Sequence, residues 1–155
     1  MKQILCITLC LFALTCSAQR QKYNWKRAIA PASLSFASGA SWGVHEATMH
    51  HWSSVQAKYP SLPARWWNPA ASWKNKYVNG DPAQGRRKFA GVFIPAHLTD
   101  SKHMLASFSF TTIMGAGVLI GINEKRPWWF YLFDLGISFA AYSAGNYLTY
   151  NIIMR

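Results

Sequence analysis

Beyond Cys16 the chain has no cysteine; all three, Cys6, Cys10 and Cys16, lie within its first sixteen residues. Everything after that point is therefore closed to disulfides, thiolate–zinc centres and cysteine nucleophiles. Acidic residues are nearly as scarce, five against sixteen Lys and Arg, which leaves a formal net charge of +11 over 155 residues. Nucleic-acid binding would need those cations on one solvated face, whereas they stand in short blocks between long apolar stretches, so no nucleic-acid partner is expected. Internal repeats and low-complexity tracts are also missing. The Gly-x-Ser-x-Gly spacing at Gly39-Ala40-Ser41-Trp42-Gly43 falls inside a small-residue run expected to be a helix, so no elbow or Ser-x-x-Lys pair of recognised context supports a serine nucleophile.

What is present points to lipid. Half of the residues are apolar, and the length allows one domain. At the start, Lys2, the apolar run Ile4 to Leu14 and the small residues Cys16-Ser17-Ala18 read as a secretory signal over 1–18, too short to span a bilayer. A lipoprotein site at Cys16 fits less well, and an uncleaved anchor is the remaining alternative. Residues 19–155 then form a single integral membrane domain.

Three spans are expected. The first, about 28–48, is weakly apolar, but Ser35, Ser38, Gly39, Ser41 and Gly43 suit a helix packed closely on neighbours. The second, about 104–122, has no charge, and Gly115, Gly117 and Gly121 mark a face for close helix contact. The third, about 128–153, opens on Trp128 and Trp129 and carries one charge, Asp134. The expected fold is thus all-α, a multi-pass transmembrane helical bundle with three mature spans, or four if the signal is uncleaved.

Between the first two spans, 52–88 is broken by Pro60, Pro63, Pro69, Gly80, Pro82 and Gly85 and reads as an irregular loop. Its Trp66, Trp67 and Trp73 stand among seven basic residues, a composition suited to the headgroup zone of an anionic membrane. The alternative is a small folded loop that buries the tryptophans against itself. Asn79-Gly80-Asp81-Pro82 signals a turn. The short apolar segment 89–98, interrupted by Pro95, is expected to lie at the interface or re-enter. With seven cations in the long loop, the positive-inside tendency places it at the cytoplasmic face of an inner membrane.

All five histidines fall in two clusters, His45/His50/His51 and His97/His103, each with one acid, Glu46 or Asp100. On helices, Glu46 and His50 are four apart and Asp100 and His103 three apart, so each carboxylate shares a face with an imidazole. The topology brings both clusters to the cytoplasmic boundary. Carboxylate-bridged dimetal bundles use such pairs, but a full set needs about four carboxylates, so Glu46, His50, Asp100 and His103 are candidate ligands for one divalent transition metal. The simpler reading is that the pairs are hydrogen-bonded struts between helices. Neither membrane-hydroxylase histidine boxes nor the zincin helix is present. Asp134, several residues into a span, is expected to be neutralised by protonation, by Lys125 or Arg126, or by a Ser or Tyr hydroxyl from another helix. Asn146 is read as an interhelical hydrogen-bonding residue.

The block Trp67-Asn68-Pro69-Ala70-Ala71-Ser72-Trp73-Lys74-Asn75-Lys76-Tyr77, followed by Thr99-Asp100-Ser101-Lys102-His103, resembles a family of small bacterial membrane proteins of uncharacterised activity. The likeness runs from about 41 to 103 and over the apolar tail. It implies a membrane location and directs attention to Asp100 and His103, but it brings no reaction or cofactor. The leading expectation is a small binding or accessory component whose loop lies on anionic lipid or docks a membrane protein. The alternative is a metal-dependent membrane enzyme acting on a lipid-like substrate. A homo-oligomer joined through the glycine faces is a third arrangement.

Overall fold

The computed structural model describes residues 22–122 and 125–154. The 1–18 signal, Glu124 and Arg155 lie outside the described residues. The chain is mostly helical, as its composition predicts. Three long helices dominate: α1 Lys26–His50, α5 Ser101–Gly121 and α6 Trp128–Tyr147, the last continued by a π-helical stretch, Leu148–Ile153.

Helix α1 is the central element. Leu34 lies against Gly115, Ser38 against Ser109 and Ser41 against Leu105, so α5 runs antiparallel to it. Gly39 lies against Tyr142 and Gly43 against Asn146, so α6 runs parallel to it. Helices α5 and α6 scarcely touch each other. The C-terminal end of α1, the N-terminal end of α5 and the π-helical end of α6 therefore gather on one side of the molecule.

Small residues set the α1–α6 distance. A Cβ added at Gly39 would lie 2.0 Å from the Tyr142 carbonyl oxygen, and one at Gly145 would lie 2.3 Å from that of Phe36. Such backbone approach is open only to glycine. Gly39 and Gly43 make the close approach expected of α1, but the glycines expected to mark a contact face on α5 behave differently. A Cβ at Gly115 would meet only Leu34, at 3.5 Å, while Gly117 and Gly121 look into open space. Close packing is thus concentrated on α1, as its small residues predict, and on Gly145 of α6, because α1 is flanked on both sides and α5 on one.

Serine hydroxyls join α1 to α5. Ser38 Oγ donates to the Ser109 carbonyl at 2.8 Å and lies 2.9 Å from its hydroxyl, and Ser41 Oγ donates to the Leu105 carbonyl at 2.9 Å. The buried stripe of α6 is Phe130, Asp134, Ser138 and Gly145, spaced at three- to four-residue multiples as a one-sided helix requires. A small apolar cluster of Ala47, Val55 and Met154, flanked by Trp52, Tyr59, Leu62 and Tyr150, closes the histidine end.

Among the described residues, only α5 is long and apolar enough to pass as a membrane-crossing helix by length and composition. The other two expected spans form as helices over the anticipated residues, but Ser, Gly and His in α1, and Asp134 and Asn146 in α6, dilute their apolarity.

The connecting region corrects the expectation of an irregular loop. It is a chain of short helices, α2 Trp52–Lys58, α3 Ala64–Trp67 and α4 Pro69–Ser72, followed by 3-10 turns at Trp73–Lys76, Val78–Gly80 and Pro82–Gln84. Asn68 and Asp81 cap two of these pieces, accepting from Ala70 N–H and Ala83 N–H at 2.9 Å each. Asn79 and Gly80 both have positive φ, the turn that Asn-Gly encodes. The segment expected to be interfacial holds a two-stranded hairpin, β1 Lys88–Phe89 with β2 Val92–Phe93, turning at Ala90-Gly91, where φ is again positive. A 3-10 turn, Ala96–Leu98, then leads to α5.

Candidate functional site

Both carboxylate–histidine pairs stand at the same end of the bundle, as the topology predicts, but each closes on itself. Asp100 is the N-cap of α5. Its Oδ1 accepts the His103 backbone N–H at 2.8 Å, and both carboxylate oxygens lie 2.8 Å from His103 Nδ1. The capping geometry explains why this carboxylate, 1% exposed, is tolerated: it satisfies an orphan helix donor and favours the positive end of the helix dipole. On α1, Glu46 reaches along its own helix to His50 Nε2 at 3.3 Å.

Among the described residues no three His, Cys, Asp or Glu side chains form a group able to hold a metal. The quartet Glu46, His50, Asp100 and His103 is therefore two separate pairs and not one ligand set. The spacing that placed each acid beside an imidazole also lets each pair satisfy itself within one helix, which leaves Asp100 occupied by its cap.

The other histidines have individual surroundings. His45 is buried, stacks on Trp42 at 4.7 Å, and its Nδ1 lies 3.7 Å from Glu46, beyond hydrogen-bond reach. His51 Nε2 lies 2.7 Å from the Tyr150 hydroxyl in the π-helical stretch. His97 is exposed on the turn before α5.

Asp134 is resolved at the opposite end. Its two oxygens are taken by the Arg126 guanidinium and the Tyr23 hydroxyl, and both charged side chains are almost fully enclosed. The anticipated pairing with Arg126 forms, and the hydroxyl comes from Tyr23 in the segment before α1 rather than from another helix. Arg126 also stacks over the Tyr131 ring at 4.4 Å. Tyr23 packs against Phe130 and Phe133. Burial, then the bond to Asp134 and its charge, push the Tyr23 phenol from its ordinary 10.0 up to about 12, against the opposing pull of Arg126. Each partner makes the other's burial tolerable, which is the pattern of a structural ion pair.

No family model, curated protein or solved structure matches this chain.

The tryptophans divide between the two readings of the loop. Trp66 and Trp67 are half-buried, and the Trp66 carbonyl accepts from Ser101 Oγ at 3.0 Å, which ties α3 to the start of α5. Trp73 and Trp128 are exposed, and Trp129 packs edge-on to Phe130 at 3.9 Å. Sequence reasoning missed what lies beneath Trp66. A cavity of about 300 Å³ is lined by Pro63, Arg65, Trp66, Asn75, Arg87 and Ile94, with Leu98 and Thr99 at its edge. Arginines in a basic loop gave no sign of which two would converge.

Proposed function

We propose that the chain is a small multi-pass component of a bacterial inner membrane, with a binding or accessory role, whose basic, tryptophan-bearing connecting region rests on anionic lipid at the cytoplasmic face. One observation carries this reading: the bundle is inverted relative to a water-soluble protein. Phe108, Phe110, Met114, Val118, Leu132, Phe133, Leu135 and Phe139 point outward, while Ser35, Ser38, Ser109, Asp134 and Ser138 are buried. In water, so much exposed apolar surface on adjacent helices would drive association. In lipid it is the expected arrangement, because helices there associate through small residues and interhelical hydrogen bonds.

Helix α5 supports the same reading. Only 17% of its most apolar window is buried, whereas the core helix of a soluble domain would be mostly buried. Its 21 residues extend about 32 Å at ~1.5 Å per residue, enough to cross the hydrocarbon layer. Helix α6 carries a paired acid, an arrangement tolerated within membranes when the charges face protein.

The orientation is testable with an impermeant thiol reagent on spheroplasts carrying single cysteines in a background without Cys6, Cys10 and Cys16. Lys125→Cys is expected to label from outside, and Lys74→Cys only after the membrane is opened. The reverse pattern would refute the orientation.

A further inference from the structure

The cavity beside Trp66 adjoins a second one. It shares Ile94 and Leu98 with an open apolar groove of about 320 Å³, whose other walls are Phe89, Val92, Phe93 and Pro95. One half presents cations and the other only hydrocarbon.

In the polar half, Asn75 fixes Arg65 from both sides. Its Nδ2 donates to the Arg65 carbonyl at 2.8 Å, and its Oδ1 accepts from Arg65 Nε at 3.2 Å. Arg87 is held by its backbone N–H to the Lys76 carbonyl at 2.9 Å and by its Nε to the Tyr77 carbonyl at 3.1 Å. Both guanidiniums are thus anchored through Nε, and their terminal Nη groups have no hydrogen-bond partner among the described residues. Two preorganised forks facing one cavity, with no acid lining it, suit an oxyanion that accepts paired hydrogen bonds, above all a phosphate.

In the apolar half, the hairpin exposes Phe89 at 80% and Val92 at 70%. These are side chains that water would not favour at a strand tip. Arg86 and Lys88 flank them and stack over Phe93 at 5.3 and 4.9 Å. Cations beside an exposed apolar tip match a headgroup layer with acyl chains beneath it.

We infer that Arg65 and Arg87, together with the Phe89–Phe93 hairpin, form a site for an anionic phospholipid, its phosphate between the two guanidiniums and an acyl chain along Phe89, Val92 and Leu98. This rests on the membrane reading above and replaces diffuse attraction by a defined site.

The test uses the full chain purified in a zwitterionic detergent and measures equilibrium binding of dioctanoyl phosphatidylglycerol, dioctanoyl phosphatidylcholine and inorganic phosphate. The protein is expected to prefer the phosphatidylglycerol. The R65Q/R87Q variant should lose about tenfold or more of that affinity, the scale of lost charge-assisted hydrogen bonds. K74Q/K76Q, which removes the same charge outside the cavity, should lose no more than about twofold, as screened surface charges do. F89S/V92S, altered only at exposed positions, should weaken the lipid and leave phosphate binding unchanged, which guards against misfolding of the arginine variant. Equal loss in the two charge variants would overturn the site while leaving the loop's general attraction to anionic lipid intact. Inorganic phosphate bound as tightly as the lipid would overturn the assignment to a lipid. A wild-type protein without preference for phosphatidylglycerol would overturn the site and the lipid-facing loop together.

Discussion

Asp134 shows how a single residue can be costly and still be retained. Its carboxylate is enclosed with Arg126 and held by Tyr23, so removing one partner leaves the other charge buried and alone. Asp134→Leu should therefore destabilise the fold by about 3–5 kcal/mol, whereas pairing it with Arg126→Leu should recover most of that loss. Thermal unfolding in detergent of the two single variants and the double variant checks this. Tyr23 adds a pH signature. Its phenol ionises at about 12 in the folded chain against 10.0 ordinarily, so its contribution is fully present below pH 10 and is lost as pH rises through about 12. Tyr23→Phe should lose stability at neutral pH and show a shallower alkaline decline than the parent. Asp100 belongs to the same scale. Asp100→Ala removes the α5 cap and should cost about 0.5–2 kcal/mol, while added divalent metal should leave the melting temperature of the parent unchanged, since its two acid–histidine pairs are separate.

Among the elements, the glycines separate positions that look equivalent in the sequence. Gly39→Leu and Gly145→Leu would drive a side chain into the backbone of the facing helix and should cost about 1–3 kcal/mol or more through overpacking. Gly117→Leu and Gly121→Leu, which face open space, should leave the melting temperature in detergent unchanged or raise it. The helices themselves were legible because long apolar or small-residue runs survive as helices wherever they pack, and α1, α5 and α6 cover the anticipated stretches. The close approach at Gly39 and Gly43 was legible from the small-residue run of α1, but the open surroundings of Gly117 and Gly121 and the contact at Gly145 were not, since they depend on α1 being flanked twice. The connecting region was least legible. Its single-turn helices are too short to carry a hydrophobic period and are held by local caps at Asn68 and Asp81 and by a tertiary bond from Ser101 to Trp66, none of which a pattern of prolines reveals. The hairpin at Lys88–Phe93 lacks an Asn-Gly or Asp-Gly turn and so gave no signal. Asp100 and His103 were correctly paired by their spacing. Their convergence with Glu46 and His50 was not, because spacing along one helix says nothing about the distance to another.

For the whole molecule, the distribution of polarity decides the account. Water would leave the outward phenylalanines and leucines of α5 and α6 without a partner and the inward serines without a reason. On the proposed reading lipid would supply both, and the cationic cavity and the apolar hairpin would lie at its surface. The most direct measurement is partition of the untagged full chain expressed in bacteria, with membranes washed in alkaline carbonate and then extracted with detergent. Retention in the pellet through the carbonate wash and release only by detergent is the predicted result. Recovery in the aqueous fraction as a monodisperse species free of amphiphile would contradict it.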